Sequence, residues 1–248
     1  MGDGMFAGKV AMVTGGGSGI GRATALALAR EGASVLVGDL NEAGANEAAT
    51  AIREAGGKAA AVRLDVADGQ SVADAVAAAR SAFGGLHVGV NCAGVTLAGD
   101  LLLDVSEAQF DQVMAINLKG TWWCLRAQIP AIIESGGGAI VNISSTMGLV
   151  AGPRSSSYIA SKHGIIGLTK AASIEYSSQG VRVNAVCPGG TATPMISDQV
   201  RAALVPLHPI GRISEPEEIA AAILFLASPA ASFITGVALP VDGGWTSH

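Results

Sequence analysis

The chain has 248 residues, a net charge of −5, and only 14% charged side chains beside 50% apolar ones. That length suits a single α/β domain with a sizeable core, and an acidic balance without a basic stripe argues against nucleic acid as a partner. The charged fraction is well below the roughly 25% of an average domain, too little to cover a monomer, so a homo-oligomer burying apolar faces is expected.

Three cysteines, Cys92, Cys124 and Cys187, give an odd count without CxxC spacing, which fits reduced thiols in a cytoplasmic protein. The N-terminal MGDGMFAG has neither a basic region nor a long apolar run, and AAAILFLA at 220–227 is far too short to span a bilayer, so no membrane partner is expected. No metal site is expected either.

The first strand is predicted at KVAMV, a short apolar run starting at Lys9. TGGGSGIG (14–21) interrupts it, strong helix formers follow from Arg22 to Arg30, and Gly32 is placed to stop that helix. SVLVG forms the second strand and Asp39 closes it. The fingerprint GxGxxG is absent between residues 15 and 21; the spacing that fits is TGxxxGxG, on Thr14, Gly15, Gly19 and Gly21. A glycine turn feeding a helix start offers unpaired amides and a favourable dipole to a pyrophosphate. A tight turn that binds nothing is the competing reading, and the strand before, the helix after and the acid 18 residues beyond Gly21 weigh against it. Asp39 can accept hydrogen bonds from both adenosine ribose hydroxyls and repels a 2′-phosphate. No Arg or Lys lies between Ser34 and Thr50 to offset that, so NAD is expected over NADP. Alternatively Asp39 caps the next helix.

Further along, Asn41–Glu54 reads as a helix ended by Gly56 and Gly57, and AAAVRLDV as a third strand with Asp65 at its tip. SVADAVAAARSAFG is a helix, HVGVNCAG a fourth strand, and 106–134 mostly helical with Pro130 near the end. GAIVNISS is a fifth strand, Ser155–Ser178 a long helix, and VRVNAVCPGG a sixth strand. Pro216 opens a helix with Ser214 as its expected cap, and GVALPVDGG is a seventh strand. Apolar strands alternating with helices predict an α/β, doubly wound parallel sheet covered on both faces, with ligands at the carboxyl ends of the strands. Nothing divides the chain, so residues 1–248 are expected to form one domain.

Tyr158 and Lys162 are spaced i, i+4 and share one face of the long helix. A free phenol, with a pKa near 10, is a poor base at neutral pH; an ammonium one turn away stabilises the phenolate and makes Tyr158 a general acid/base. A surface pair on an amphipathic helix is the alternative. Ser145 ends the fifth strand 13 residues before Tyr158, where its hydroxyl can bond a substrate alcohol or ketone oxygen, or simply serve a turn. Ser144 is expected on the opposite face by strand alternation.

With TGGGSGIG, Asp65-Val66, NCAG (91–94), Asn117 in NLKG, Ser145, YIASK (158–162), PGGTATP (188–194) and ITGVALPVDGG (234–244) in this order, the whole chain resembles a single-domain short-chain dehydrogenase/reductase. The resemblance implies a Rossmann-type sheet of seven parallel strands, a homotetramer, and a catalytic tetrad of Asn117, Ser145, Tyr158 and Lys162. Tyr158 would move the proton and Ser145 polarise the substrate oxygen. Lys162 would also bind the nicotinamide ribose, and Asn117 would hold a relay water. By the same resemblance the cofactor lies against Gly15, Ser18, Gly19, Ile20 and Gly21 of the turn, Asp39 and Leu40, Asp65 and Val66 beside adenine, and Asn91, Ala93 and Gly94. Tyr158, Lys162, Pro188, Gly189, Thr191 and Thr193 complete that set. Cys92 replaces the second Asn of the commoner NNAG, and Thr191 stands where Ile or Val is frequent.

Substrate walls are expected at Val95–Leu97, Met147–Ala151 and a lid at about 194–210, whose Met195, Leu204, Val205 and Leu207 suggest an apolar alcohol or ketone. Arg154 and Arg201 are read as surface charges before anion receptors, and His208 as structural before substrate-binding. His163 turns off the catalytic face. At least one of Trp122 and Trp123 is expected at a subunit interface, with the intrachain core as the alternative. The function expected is NAD-dependent hydride transfer between a secondary alcohol and its ketone. The alternatives are a 3-oxoacyl thioester reductase, which would favour NADP and basic residues near the turn, and a catalytically silent nucleotide sensor, which has no reason to keep all four tetrad residues.

Overall fold

A computed structural model describes residues 4–97 and 99–247. Seven strands form one sheet in the order β3-β2-β1-β4-β5-β6-β7, and every neighbouring pair is parallel. The strands are β1 (Val10–Thr14), β2 (Ser34–Asp39), β3 (Lys58–Arg63), β4 (Val88–Asn91), β5 (Gly138–Ile143), β6 (Val181–Pro188) and β7 (Ala238–Val241). The helices between them are α1 (Gly19–Arg30), α2 (Glu42–Glu54), α3 (Gly69–Phe83), α4 (Glu107–Val113), α5 (Gly120–Glu134), α6 (Ser156–Tyr176), α7 (Asp198–Leu204) and α8 (Pro216–Ala227).

Strand alternation sorts the apolar residues into two cores. Ala11, Val13, Val35, Val37, Val90 and Val141 point to one face and pack against α1, α2 and α8. Val10, Met12, Leu36, Ile140 and Val183 point to the other, against α3, α5 and α6. Both faces are covered, which is why the central strands read as unbroken apolar runs. Chain order reverses between β1 and β4, and there the carboxyl ends of the strands open a crevice.

Several boundaries differ from the sequence reading. β3 stops at Arg63, short of the expected Val66. The Leu64 amide still donates to the Asp39 carbonyl at 2.8 Å, but Asp65 then turns the chain, its Oδ1 accepting from the Ala67 amide at 2.9 Å. The helical stretch after residue 106 is three pieces. α4 and α5 are joined by one π-helical turn, Met114–Lys119, which carries Asn117; such turns are frequent at functional sites. Pro130 lies inside α5, one turn before its end. Ser214 is not the α8 cap. The cap position is Glu215, whose amide donates to Glu218 at 2.9 Å, while Ser214 Oγ lies 2.9 Å from Thr191 Oγ1 and donates to the Gly190 carbonyl at 3.1 Å.

Trp122 is 37% exposed, while Trp123 packs into the α3/α5 core, above Gly69, where a Cβ would lie 2.7 Å from the indole. The Arg126 guanidinium stands over both rings. No helix among the described residues is long and apolar enough to cross a membrane.

Candidate active site

The crevice at the strand ends is a cleft of about 680 Å³. One end is backbone. Gly15 and Gly19 have φ of 65° and 49°, a left-handed conformation that favours glycine. A Cβ on Gly21 would stand 2.0 Å from the Gly15 carbonyl oxygen, and one on Gly15 would stand 2.9 Å from Ala93. The turn is thus folded hard onto itself and onto the segment after β4. Thr14 locks that contact, its Oγ1 accepting from the amides of Cys92 and Ala93, both at 3.1 Å.

Above the turn, α1 begins without a side-chain capping bond from Ser18 and without an acid in its first turn. α2 and α3, by contrast, are capped by Asn41 and Asp68. First-turn amides facing a cleft, crowded by glycines and without a carboxylate neighbour, suit a phosphate. The residues present therefore fit a dinucleotide. Asp39, at the tip of β2, lines the same end. Its Oδ2 accepts from the Gly17 amide and its Oδ1 from the Asn41 amide, both at 2.9 Å, and each oxygen keeps a lone pair for a ligand. The α2 cap is Asn41, which accepts from the Gly44 amide, so the alternative of Asp39 as that cap falls away. Leu40, Asp65 and Val66 complete this end.

Ser145, Tyr158 and Lys162 all line the cleft. Lys162 is buried at 5% exposure, and its Nζ donates to the Ile143 carbonyl at 2.9 Å and lies 5.4 Å from the centre of the Tyr158 ring. The end of β5 therefore aims the ammonium, one helical turn from the phenol. Ser145 follows β5, its Oγ accepting from the Met147 amide at 3.1 Å. Ser144, one residue earlier, faces α6 and donates to the Lys162 carbonyl at 2.9 Å. Both serines line the cleft, but their hydroxyls are used differently: that of Ser144 ties down the helix, while that of Ser145 accepts only from Met147 and can still donate to a ligand.

Asn117 is fully buried. Its Oδ1 accepts from the Val95 amide at 2.8 Å, and its Nδ2 donates to the Val95 carbonyl at 2.9 Å and to Ser161 Oγ at 3.1 Å. Ser161 Oγ in turn donates to the Tyr158 carbonyl at 2.7 Å. The side chain is thus committed to holding the loop after β4 and the turn of α6 that bears the phenol. Asn91 closes β4. Its side chain does not line the cleft but is buried in a chain of bonds with Gln128 and Asn142, the latter at 2.8 Å. Asn142 continues to Thr169 at 2.9 Å. Cys92, its neighbour, does line the cleft, where burial pushes the thiol up to about 12, so it offers no thiolate. Burial likewise raises Cys124 to about 12 and Cys187 to about 11.

Ala93, Gly94, Pro188, Gly189, Thr191 and Thr193 line the cleft as expected. The rest of its lining is largely apolar. Val95, Thr96, Met147, Met195, Ile196, Val200, Leu204 and Trp245 form the walls. Leu97, 148–151, Val205 and Leu207, expected as walls or lid, do not reach it. Arg154 donates to the Gly99 carbonyl at 2.8 Å, Arg201 to the Thr193 carbonyl at 3.0 Å, and His163 is exposed on α6. Trp245 escaped the sequence reading; its only signal was a large aromatic beside GG near the chain end.

A parallel doubly wound sheet with a glycine turn at its switch point and a Ser-Tyr-Lys group beside it defines a nicotinamide-dependent oxidoreductase. The family model described as "Enoyl-(Acyl carrier protein) reductase" matches residues 15–246. Cyclohexanol dehydrogenase from Acinetobacter sp. (strain SE19) is 44% identical over 242 residues, covering 98% of this chain and 96% of the relative. Cis-4-hydroxycyclohexanecarboxylate dehydrogenase from Sinomonas cyclohexanicum is 46% identical over 245 residues, with 98% of each chain covered. A crystal structure of a short-chain type dehydrogenase/reductase from Mycobacterium marinum superposes with a TM-score of 0.93 at 32% identity, covering 98% of this chain and 97% of that one. The chain belongs to the short-chain dehydrogenase/reductase family.

Proposed function

We propose that the protein oxidises an uncharged, ring-sized secondary alcohol to its ketone with NAD. The observation that carries this reading is one cleft lined together by the glycine turn, by Ser145, Tyr158 and Lys162, and by a set of apolar side chains. The hydroxyl of the alcohol donates to Ser145 or to the Tyr158 oxygen. Lys162, held by the Ile143 carbonyl, keeps its ammonium 5.4 Å from the centre of the Tyr158 ring, and Tyr158 takes the hydroxyl proton as the carbonyl forms. Nicotinamide, when bound, supplies the acceptor for the hydride that leaves the carbinol carbon. Asn117 keeps the phenol in place through Ser161 and the backbone of α6.

Among the described residues, the charged side chains lining the cleft are Asp39, Asp65 and Lys162, all at the dinucleotide end or the centre. No charge is left for a substrate anion, which supports a neutral substrate. The two relatives act, by their names, on cyclohexane alcohols, one of them bearing a carboxylate; the ring size fits these walls, and the absence of a cation among them favours the uncharged alcohol for this chain. Asp39 supports NAD over NADP, and opposes the thioester-reductase alternative, because no Arg or Lys follows it before Thr50 and the cation paired with it in the sheet, Arg63, is not among the residues lining the cleft. The exposed Trp122, Ile174, Phe225 and Phe233 support a homo-oligomer, for which a tetramer is the proposal.

The test is turnover followed by NADH absorbance with a panel of cyclic, linear and carboxylated secondary alcohols, NAD against NADP, beside Tyr158→Phe. Cyclohexanol-sized neutral alcohols with NAD should be the best pair, and Tyr158→Phe should lower kcat about 10²–10⁴-fold. Undiminished turnover in Tyr158→Phe, or faster turnover with NADP, would overturn the corresponding part.

A further inference from the structure

Behind the substrate end of the cleft sits one buried imidazole. His208 is 3% exposed and is not itself a wall. Its Nδ1 lies 2.8 Å from the Leu204 carbonyl oxygen, and its Nε2 accepts from the Gly190 amide at 2.9 Å. A carbonyl oxygen only accepts and an amide N–H only donates, so the proton is on Nδ1 and Nε2 is bare. The ring also meets the Trp245 indole edge-on, with centroids 5.1 Å apart and planes at 68°.

All three partners, Gly190, Leu204 and Trp245, line the cleft. They come from three separate stretches: the loop after β6, the end of α7 and the turn after β7. One side chain therefore stands behind three walls and bonds or packs against each. The chain makes room for it, since a Cβ on Gly189 would stand 2.5 Å from Nε2 and one on Gly190 would stand 3.1 Å from Cε1. The turn that bears Trp245 is also held by Asp242, whose carboxylate accepts from the Gly244 amide at 3.0 Å and the Thr246 amide at 2.9 Å. Two residues past His208, the Ile210 amide donates to the Gly243 carbonyl at 3.1 Å, tying the same two segments together again.

We propose that His208 is a positioning residue for substrate, fixing Gly190, Leu204 and Trp245 as one wall against which the alcohol's carbon skeleton packs. It touches neither substrate nor cofactor. The proposal rests on reading the cleft as an alcohol dehydrogenase site. It places substrate orientation on α7 and the C-terminal turn.

The test compares His208→Phe, which keeps a ring against Trp245 but leaves the Gly190 amide and the Leu204 carbonyl without partners, with His208→Gln, which offers one acceptor and one donor. His208→Phe should raise KM for the best alcohol about tenfold, the order expected when buried hydrogen-bonding groups lose their partners. It should leave kcat and NADH affinity within about threefold, and His208→Gln should recover most of the KM. Equal KM in His208→Phe and the parent overturns the proposal, as does a parallel loss of kcat, KM and NADH affinity in both variants. A second readout does not depend on the alcohol. In a Trp122→Phe/Trp123→Phe background only Trp245 fluoresces, and His208→Phe should make it clearly more accessible to acrylamide while His208→Gln should not. Unchanged quenching sinks the wall. Changed quenching without turnover on any alcohol keeps the wall and sinks the alcohol reading instead.

Discussion

At the β1–α1 end of the cleft the chain presents backbone: Gly15, Gly19 and Gly21 fold against one another, and the unfilled first turn of α1 faces the ligand space. At the α7 end it presents side chains, Met195, Val200, Leu204 and Trp245, assembled from segments some fifty residues apart and backed by a single histidine. The first end is made by close approach, which only glycine permits. The second is made by bulk, which many apolar residues can supply. A backbone surface is therefore brittle to substitution and generic in what it binds, while a side-chain surface is tolerant and selective.

The sharpest way to break this contrast is Gly21→Ala. The new methyl would sit 2.0 Å from the Gly15 carbonyl oxygen and 2.7 Å from its carbon, and backbone cannot swing aside as a side chain does. NADH affinity, by fluorescence titration, should fall about 100-fold or more, which is about 2.7 kcal/mol. Met195→Ala at the other end should leave NADH affinity alone and shift the alcohol KM by less than about tenfold. Normal NADH binding by Gly21→Ala would mean the turn is not the cradle.

Next in size is Asp39→Arg. The carboxylate ties Gly17 to Asn41 and faces the cleft, so its replacement should both weaken NAD and admit a 2′-phosphate. The ratio of kcat/KM for NADP over NAD should rise by roughly tenfold or more, about 1.4 kcal/mol. An unchanged ratio would remove the ribose role from Asp39 and leave it as a tie between two loops.

How far the sequence reached follows the same division. The glycine turn, Asp39, the Tyr158–Lys162 spacing and all seven strands were legible, because each depends on a local pattern: a residue type forced by φ, a one-turn spacing, an apolar run. Trp245 and the role of His208 were not, because each acts through partners distant in the chain. Ser214 misled because Ser before a Pro-led helix is a good cap in isolation, and its bonds to Thr191 and Gly190 are tertiary. Asn91 is the converse case. It sits at the strand end as predicted, but strand alternation turns its side chain to α5, where Gln128 waits. Its signal was there to be read: Asn91 and Asn142 are polar residues at matching ends of neighbouring core strands, and buried polar side chains need partners.

That buried network gives the third prediction. Asn142→Leu should leave Asn91 Nδ2 and Thr169 Oγ1 each short of a partner, at about 1–3 kcal/mol for a stranded group. At about 2–4 °C per kcal/mol in a chain of this size, Tm should fall by several degrees. NADH affinity should hold, since the network lies beneath the cleft and not in it. A large loss of NADH affinity with Tm unchanged would reverse the assignment and make the network part of the site.

The smallest expected effect lies at the opposite, amino ends of the strands, where the central strand β4 begins. His87 Nδ1 accepts from the Val10 amide at 3.1 Å, and burial, helped by the charge of Lys9, holds its pKa below the ordinary 6.5. The unfolded chain therefore binds a proton more readily than the folded one in the window below 6.5, so stability rises with pH there, is complete above it, and is lost as pH falls through the lowered value. Asp242 is silent in this range. Burial pushes its carboxyl up, but hydrogen bonds from Thr246 and Gly244 outweigh that and hold it below the usual 3.8, so its stabilisation is lost only at lower pH. Taking the protein from pH 7 to pH 5 should therefore lower Tm by less than Asn142→Leu does. His87→Asn, whose side-chain oxygen can accept from Val10 in place of Nδ1, should flatten that slope. NADH affinity at pH 5 should be the same in both proteins, because neither end of the cleft is near His87. An equally steep slope in His87→Asn would assign the acid sensitivity to another group and leave this histidine as packing alone.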